Sequence, residues 1–210
     1  PSTISSGQNS NLTPIQMGSQ QFPSPVLPLV TDNGDQLRTY RLALACTGEY
    51  AQFHGGTVSG ALAAMNTSMV RVNGVFERDI AVRMIIVDNN DQLVFLNAST
   101  DPYTNNDGGS MLGQNINTCN SVIGSANYDI GHVFSTGGGG VAYLQSPCGG
   151  NKAGGVTGQG SPVGDPFDID YVCHEMGHQF GGNHTQNNSC NRSSGACLLY
   201  TSDAADEGSS

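Results

Sequence analysis

His174-Glu175-Met176-Gly177-His178-Gln179-Phe180-Gly181-Gly182-Asn183-His184 has the form H-E-x-x-H-x-x-G-x-x-H. On a helix, His174 and His178 lie one turn apart on the same face. Two neutral imidazoles so placed can share one Zn²⁺ at about 2.0–2.1 Å each. Glu175 projects beside the ligand pair, where a carboxylate can hold and deprotonate a water. His184, six residues past His178, would lie on another face if the helix continued, so the chain must first turn back. Gly181 and Gly182 supply that turn, because glycine tolerates positive φ and ends helices at little cost. Three histidine ligands leave a fourth position open, which is the pattern of a catalytic zinc and not of a structural one.

Moving outward, Asp165-Pro166 predicts the start of the motif helix, with Asp165 as N-cap and Pro166 at N1. Asp168 and Asp170 then fall in a first turn whose dipole favours carboxylates. Ile169, Val172, Cys173, Met176 and Phe180 form the expected core-facing stripe. Upstream, Tyr40, Leu42, Leu44 and Cys46 alternate with Arg41, Ala43 and Ala45, a strand pattern. Val58, Leu62, Met65, Met69, Val72 and Phe76 recur at helical spacing, and the run from Ile80 to Val87 suits a buried strand. A second helical stripe runs through Met111, Leu112, Ile116, Cys119 and Ile123, with Asn106 or Asp107 as N-cap. Tyr128 to Ser135 and Val141 to Leu144 are the next expected strands, followed by a long Gly/Ser/Pro loop to Asp165. This order predicts an α/β fold with a mostly parallel sheet. Asp88-Asn89-Asn90-Asp91 is an acid-amide turn that offers half of a Ca²⁺ site. His54 and His132 stand outside the motif as ordinary surface or hydrogen-bonded histidines.

The chain has 210 residues, of which 29 are glycine and only 11% are charged, with a net charge of −10. Typical chains carry about 25% charged residues, so solubility rests on Asn, Ser, Thr and Gln. Without a basic patch, nucleic acid is excluded as a partner class. No apolar run approaches the roughly 18 residues of a membrane span. Six cysteines in such a composition point to an oxidising compartment and to disulfides. The chain begins at Pro1, so the expected signal and propeptide lie outside it.

The zinc motif resembles that of the metzincin metallopeptidases, and among these the bacterial reprolysin-like peptidases; the resemblance covers roughly residues 37–196. Its second support is Gly140-Val141-Ala142-Tyr143-Leu144, with Cys148 shortly after. This segment is similar to the upper-rim edge strand of reprolysins, which pairs antiparallel with a substrate backbone. The resemblance implies a twisted, mostly parallel sheet with an antiparallel edge strand and long helices, one of them the zinc-binding helix. It implies a secreted, monomeric catalytic domain acting on polypeptides. Zn²⁺ would be held by His174, His178 and His184, with Glu175 as general base and substrate along Gly140, Val141, Ala142 and Tyr143. A zinc-stabilised adhesion or interaction module without catalysis is the alternative reading.

Two departures stand out. Thr185 follows the third histidine, where adamalysin-type members carry Asp; pappalysin-like metzincins can also carry Thr there. No methionine follows Met176, so the Met-turn that supports the zinc from below is missing. Cys197-Leu198-Leu199-Tyr200-Thr201-Ser202-Asp203-Ala204-Ala205-Asp206-Glu207 resembles a translated sequencing adapter. The expected organisation is therefore a leader over 1–36, an incomplete catalytic domain over 37–196 lacking most of its C-terminal subdomain, and a non-native tail over 197–210. On that organisation the fragment itself could be inactive.

Overall fold

The computed structural model describes residues 36–184. The expected leader before residue 36, Thr185, Cys190 and the expected tail lie outside the described residues.

Alternation along Arg38–Cys46 produces strand β1, whose second half is fully buried because both of its faces are covered. Leu42, Leu44 and Cys46 enter one core cluster, while Ala43 and Ala45 enter another on the opposite face. Thr47 caps a short helix, α1 (Gly48–Phe53), by accepting from the Tyr50 N–H, a turn that the sequence reading lacks. Thr57 likewise caps α2 (Val58–Ile80) by accepting from the Gly60 N–H. Ala61, Met65, Met69, Val72 and Phe76 form its buried stripe, and the helix ends at Ala81 in the left-handed region (φ 53°).

β2 (Val82–Ile86) pairs parallel with β1. It is an edge strand and not the buried strand expected, for Ile85 is 54% exposed. Asn73 of α2 occupies part of that edge, with its side-chain amide donating to the Met84 carbonyl and accepting from the Met84 N–H. The acid-amide turn becomes a 3₁₀ turn (Asn90–Leu93). Asn90 is buried there, its amide exchanging two hydrogen bonds with the Leu44 backbone, so it pairs like a strand residue.

Asp107 caps α3 (Gly108–Val122) by accepting from the Ser110 N–H. β3 (Ile130–Ser135) pairs parallel with β1. β4 (Gly139–Ala142) and β5 (Gly155–Gly158) complete a five-stranded sheet of order β2-β1-β3-β5-β4, in which only the β4–β5 pair is antiparallel. β5 lies inside the stretch expected to be loop. Its four residues include two glycines, which erase the alternation that marks a strand.

The chain then forms one helical run of three pieces: α4 (Asp165–Phe167), a π-helical segment (Asp168–Cys173) and α5 (His174–Gln179). Gly164 (φ 71°), not Asp165, is the N-cap, and Asp165 instead meets Arg71 in an exposed ion pair. The wider π turns shift the helical phase. Val172 and Met176 are fully buried as expected, but upstream the buried pair is Phe167 and Asp168, with Ile169 only half-buried. Asp168 therefore does not serve the helix dipole at the surface. It accepts from the Ser68 hydroxyl of α2 at 2.6 Å, and burial raises its pKa.

α2 and the motif helix pack on one face of the sheet around Leu44, Met65, Phe134, Phe167 and Met176. α3 packs on the other around Met111, Cys119, Val133 and Val156. Cys46 and Cys119 are buried in these two separate clusters, and burial pushes both thiols up to about 12. They pack as small hydrophobes, and the four described cysteines (Cys46, Cys119, Cys148, Cys173) are all unpaired. No helix among the described residues is long and apolar enough to cross a membrane.

Candidate metal centre

α5 carries His174 and His178 on one face, both buried, with Glu175 beside them at 1% exposure. The helix stops in a Schellman motif. The Gly182 N–H reaches the Gly177 carbonyl at 2.9 Å, and the Gly181 N–H reaches the His178 carbonyl at 2.8 Å. Gly181 has φ 96°, which only glycine adopts without strain. Gly182 does not need positive φ. It contributes its carbonyl, 2.7 Å from His178 Nδ1, and the backbone then delivers His184 beneath the helix.

The three Nε2 atoms converge. His178 lies 2.9 Å from His174 and 3.0 Å from His184, and His174 lies 3.2 Å from His184. Three imidazoles meeting at one point cannot satisfy one another, because each Nε2 offers a single proton or a single lone pair. Three lone pairs around one cation resolve the conflict. A tetrahedron with arms of about 2.0–2.1 Å has edges of about 3.3–3.4 Å, close to the observed triangle. The Gly182 carbonyl can only accept, so His178 Nδ1 carries the proton and its Nε2 lone pair faces the centre. Among the described residues these three histidines are the one group whose ligand atoms all lie within 4.8 Å of each other. His54 and His132 are not part of it.

β4 brings a backbone edge to this centre. A Cβ on Gly140 would stand 2.4 Å from Cγ and Oε1 of Glu175, so only glycine lets the strand lie against the carboxylate. Tyr143 N–H donates to the Gly154 carbonyl at 2.9 Å, which makes Tyr143–Gly154 a hydrogen-bonded pair. Antiparallel alternation then points the Val141 backbone at β5 and the backbone groups of Gly140 and Ala142 at the other edge, which is open among the described residues. Of the four residues expected along a substrate, Gly140 and Ala142 thus present backbone outward, and Tyr143 lies one residue beyond the strand with its ring over Gly154. A cavity of about 200 Å³ joins Gly140, Ala142 and Leu144 to Glu175, His178 and Asn183.

Residues 36–209 match the family described as metallo-peptidase family M12B, reprolysin-like. The chain belongs to this family. Its M12B relatives are zinc-dependent metallopeptidases, in keeping with the histidine triad. No curated protein matches the chain. Among solved structures, a chain described as "Structure of a chaperone-substrate complex" is similar at 15% identity and a TM-score of 0.48. The overlap covers 73% of this M12B chain and 25% of that one, so the present chain spans about a quarter of that relative's length.

A buried polar network behind the reprolysin-like motif escaped the sequence reading. His132 of β3 is fully buried, with Nδ1 2.8 Å from Gln179 Oε1 and Nε2 2.8 Å from Thr157 Oγ1. Gln179 Nε2 donates to the Gly131 carbonyl at 2.9 Å, which sets Oε1 as acceptor and places the His132 proton on Nδ1. Burial pushes the His132 pKa down to about 4, so the ring is neutral. Gly155 is required here too, since a Cβ would lie 2.4 Å from both His132 Nδ1 and Gln179 Oε1. In sequence, the trace is a histidine within the otherwise apolar run from Ile130 to Phe134.

The loop after β4 completes the frame. Gln145 and Ser146 donate backbone N–H groups to the His178 and Gln179 carbonyls, occupying the end of α5. Gln145 adopts φ 53° and its side chain packs where a Cβ on Gly181 would be.

Proposed function

We propose that the protein is a secreted zinc endopeptidase in which His174, His178 and His184 hold the ion and Glu175 is the general base. The convergence of three Nε2 atoms beside a buried carboxylate, under an open strand edge, carries this reading. A bound zinc would supply Lewis-acid polarisation of the scissile carbonyl and lower the pKa of water to near 7. The remaining chemistry belongs to the chain. Gly140 and Ala142 offer N–H and C=O groups that hold a peptide extended and antiparallel. Glu175 takes a proton from the attacking water and returns it to the leaving amine nitrogen, work contributing about 10²–10⁴-fold. Its burial against Gly140 keeps competing solvent away, and the His178–Gly182 hydrogen bond holds the imidazole in its Nε2-facing tautomer. Ser146, Gln179 and His132 hold α5 and the β4 loop in register, so metal and peptide sites move as one unit.

Denatured casein incubated with the zinc-supplemented chain tests this reading. Cleavage that stops on addition of a chelator and returns with zinc is expected. Zinc uptake without cleavage would favour a zinc-stabilised binding module instead.

A further inference from the structure

Of the large apolar side chains that stay exposed among the described residues, Leu144 is the one that lines the cavity beside Glu175 and His178. It is 52% exposed, yet its backbone is held on both sides. Before it, the Tyr143 N–H donates to the Gly154 carbonyl next to β5 at 2.9 Å. After it, the Gln145 and Ser146 N–H groups donate to the carbonyls of His178 and Gln179. Gln145 Cγ also packs 2.9 Å from the Cβ position of Gly181. Leu144 is therefore clamped between the strand edge and the end of α5, at the rim of the cavity.

The pleat of β4 sets which side chains a docked peptide meets. Gly140 faces Glu175, whereas Val141 packs into the α3-side cluster and Tyr143 lays its ring over Gly154. Successive residues of a strand project to opposite faces. On the face of the histidine triad the chain thus offers a hydrogen at Gly140, a methyl at Ala142 and an isobutyl group at Leu144. Residues opposite each other in a strand pair share a face, and diagonal neighbours about 7–8 Å apart touch through long side chains. A peptide side chain opposite Ala142 therefore finds room above that methyl and the apolar wall of Leu144 beside it. In a peptide antiparallel to β4, residues near Ala142 and Leu144 precede those near Gly140, where Glu175 stands. Such a side chain lies N-terminal to the scissile bond.

We infer that Leu144 determines specificity by selecting an apolar side chain N-terminal to the scissile bond, on the face of the peptide turned toward the motif helix. This rests on the peptidase reading. Contact with the exposed half of Leu144 removes apolar surface from water on both partners, which sets the expected preference for Leu over Ala at about five- to ten-fold. Because Leu144 is clamped on both sides, little ordering entropy opposes the contact. Glu175 supplies the carboxylate among the residues that line the cavity, and an ionised base there disfavours a second carboxylate on the substrate.

The test uses the full zinc-loaded chain and peptides carrying Leu, Ala or Asp at each of the four positions before the cleaved bond. Leu should be favoured over Ala by about five- to ten-fold in kcat/KM at a position on the motif-helix face and not at the positions either side of it, with Asp poorest there. Leu144→Ser should cut that ratio below about two-fold, and Leu144→Met, apolar and of similar volume, should keep it. Leu144 is exposed, so neither substitution threatens folding. Affinities of the same peptides for zinc-loaded Glu175→Ala, with and without Leu144→Ser, are read in parallel by fluorescence anisotropy. Equal cleavage of Leu and Ala peptides, or a preference that survives Leu144→Ser, overturns the role of Leu144 and leaves the peptidase reading standing. If no peptide is cleaved, the peptidase reading falls and the affinities decide. Tighter binding of Leu than of Ala peptides that Leu144→Ser abolishes upholds Leu144 as the selecting residue, and equal affinities overturn it.

Discussion

Gln179 sits one residue past the second zinc-motif histidine and makes contacts that the motif does not specify. Its amide joins α5 to β3 through His132 and the Gly131 carbonyl. Removing that amide leaves a buried imidazole N–H and a buried carbonyl without partners, each costing about 1–3 kcal/mol. Gln179→Leu, similar in size, is therefore expected to lower unfolding free energy by about 3 kcal/mol in urea. A loss below 1 kcal/mol would show that the network is not what holds α5 to the sheet. The three histidines that converge and the carboxylate beside them were legible because their spacing is fixed within one motif. His132, Gln179 and Gly155 were not, since their relation exists only after β3, β5 and α5 meet.

At the level of elements, β4 and α5 depend on one missing side chain. Gly140→Val places carbon atoms where the Glu175 carboxylate stands, so strand or carboxylate must shift. The expected outcome is at least a 10²-fold fall in kcat/KM with zinc content unchanged by elemental analysis. Zinc lost along with activity would show that β4 supports the triad and not the base. Strands with clean alternation, such as β1, and helices with long stripes, such as α2 and α3, were readable to within a few residues. β5 was hidden by its glycines, and the π-helical segment by a phase shift that no regular period describes. β2 misled because its β-branched run arises at an edge, where Asn73 in place of another strand covers part of the backbone.

For the whole molecule, the buried neutral His132 makes stability pH-dependent. Its pKa is about 4 when folded and near 6.5 when unfolded, so between those values the unfolded chain binds a proton that the folded chain does not. Stability is full above pH 6.5 and falls as pH drops toward 4, by a total of about 3 kcal/mol from this group. Urea unfolding of wild type and His132→Asn across this range should show a steeper decline in wild type. Parallel slopes would assign the acid sensitivity to other groups. The architecture itself, a mostly parallel sheet with an antiparallel edge, followed from the order of elements combined with the family resemblance. The separation of its two faces, the motif helix on one and α3 on the other, needed the packing.

In the proposed reaction Glu175 moves the proton in a zinc-dependent hydrolysis. The most direct measurement compares wild type with Glu175→Ala, both loaded with zinc and titrated for metal content, on one peptide substrate. The expected result is equal zinc stoichiometry, near one per chain, and a fall in kcat of at least about 10²-fold. Comparable turnover in the variant at equal zinc content would show that Glu175 is not the base.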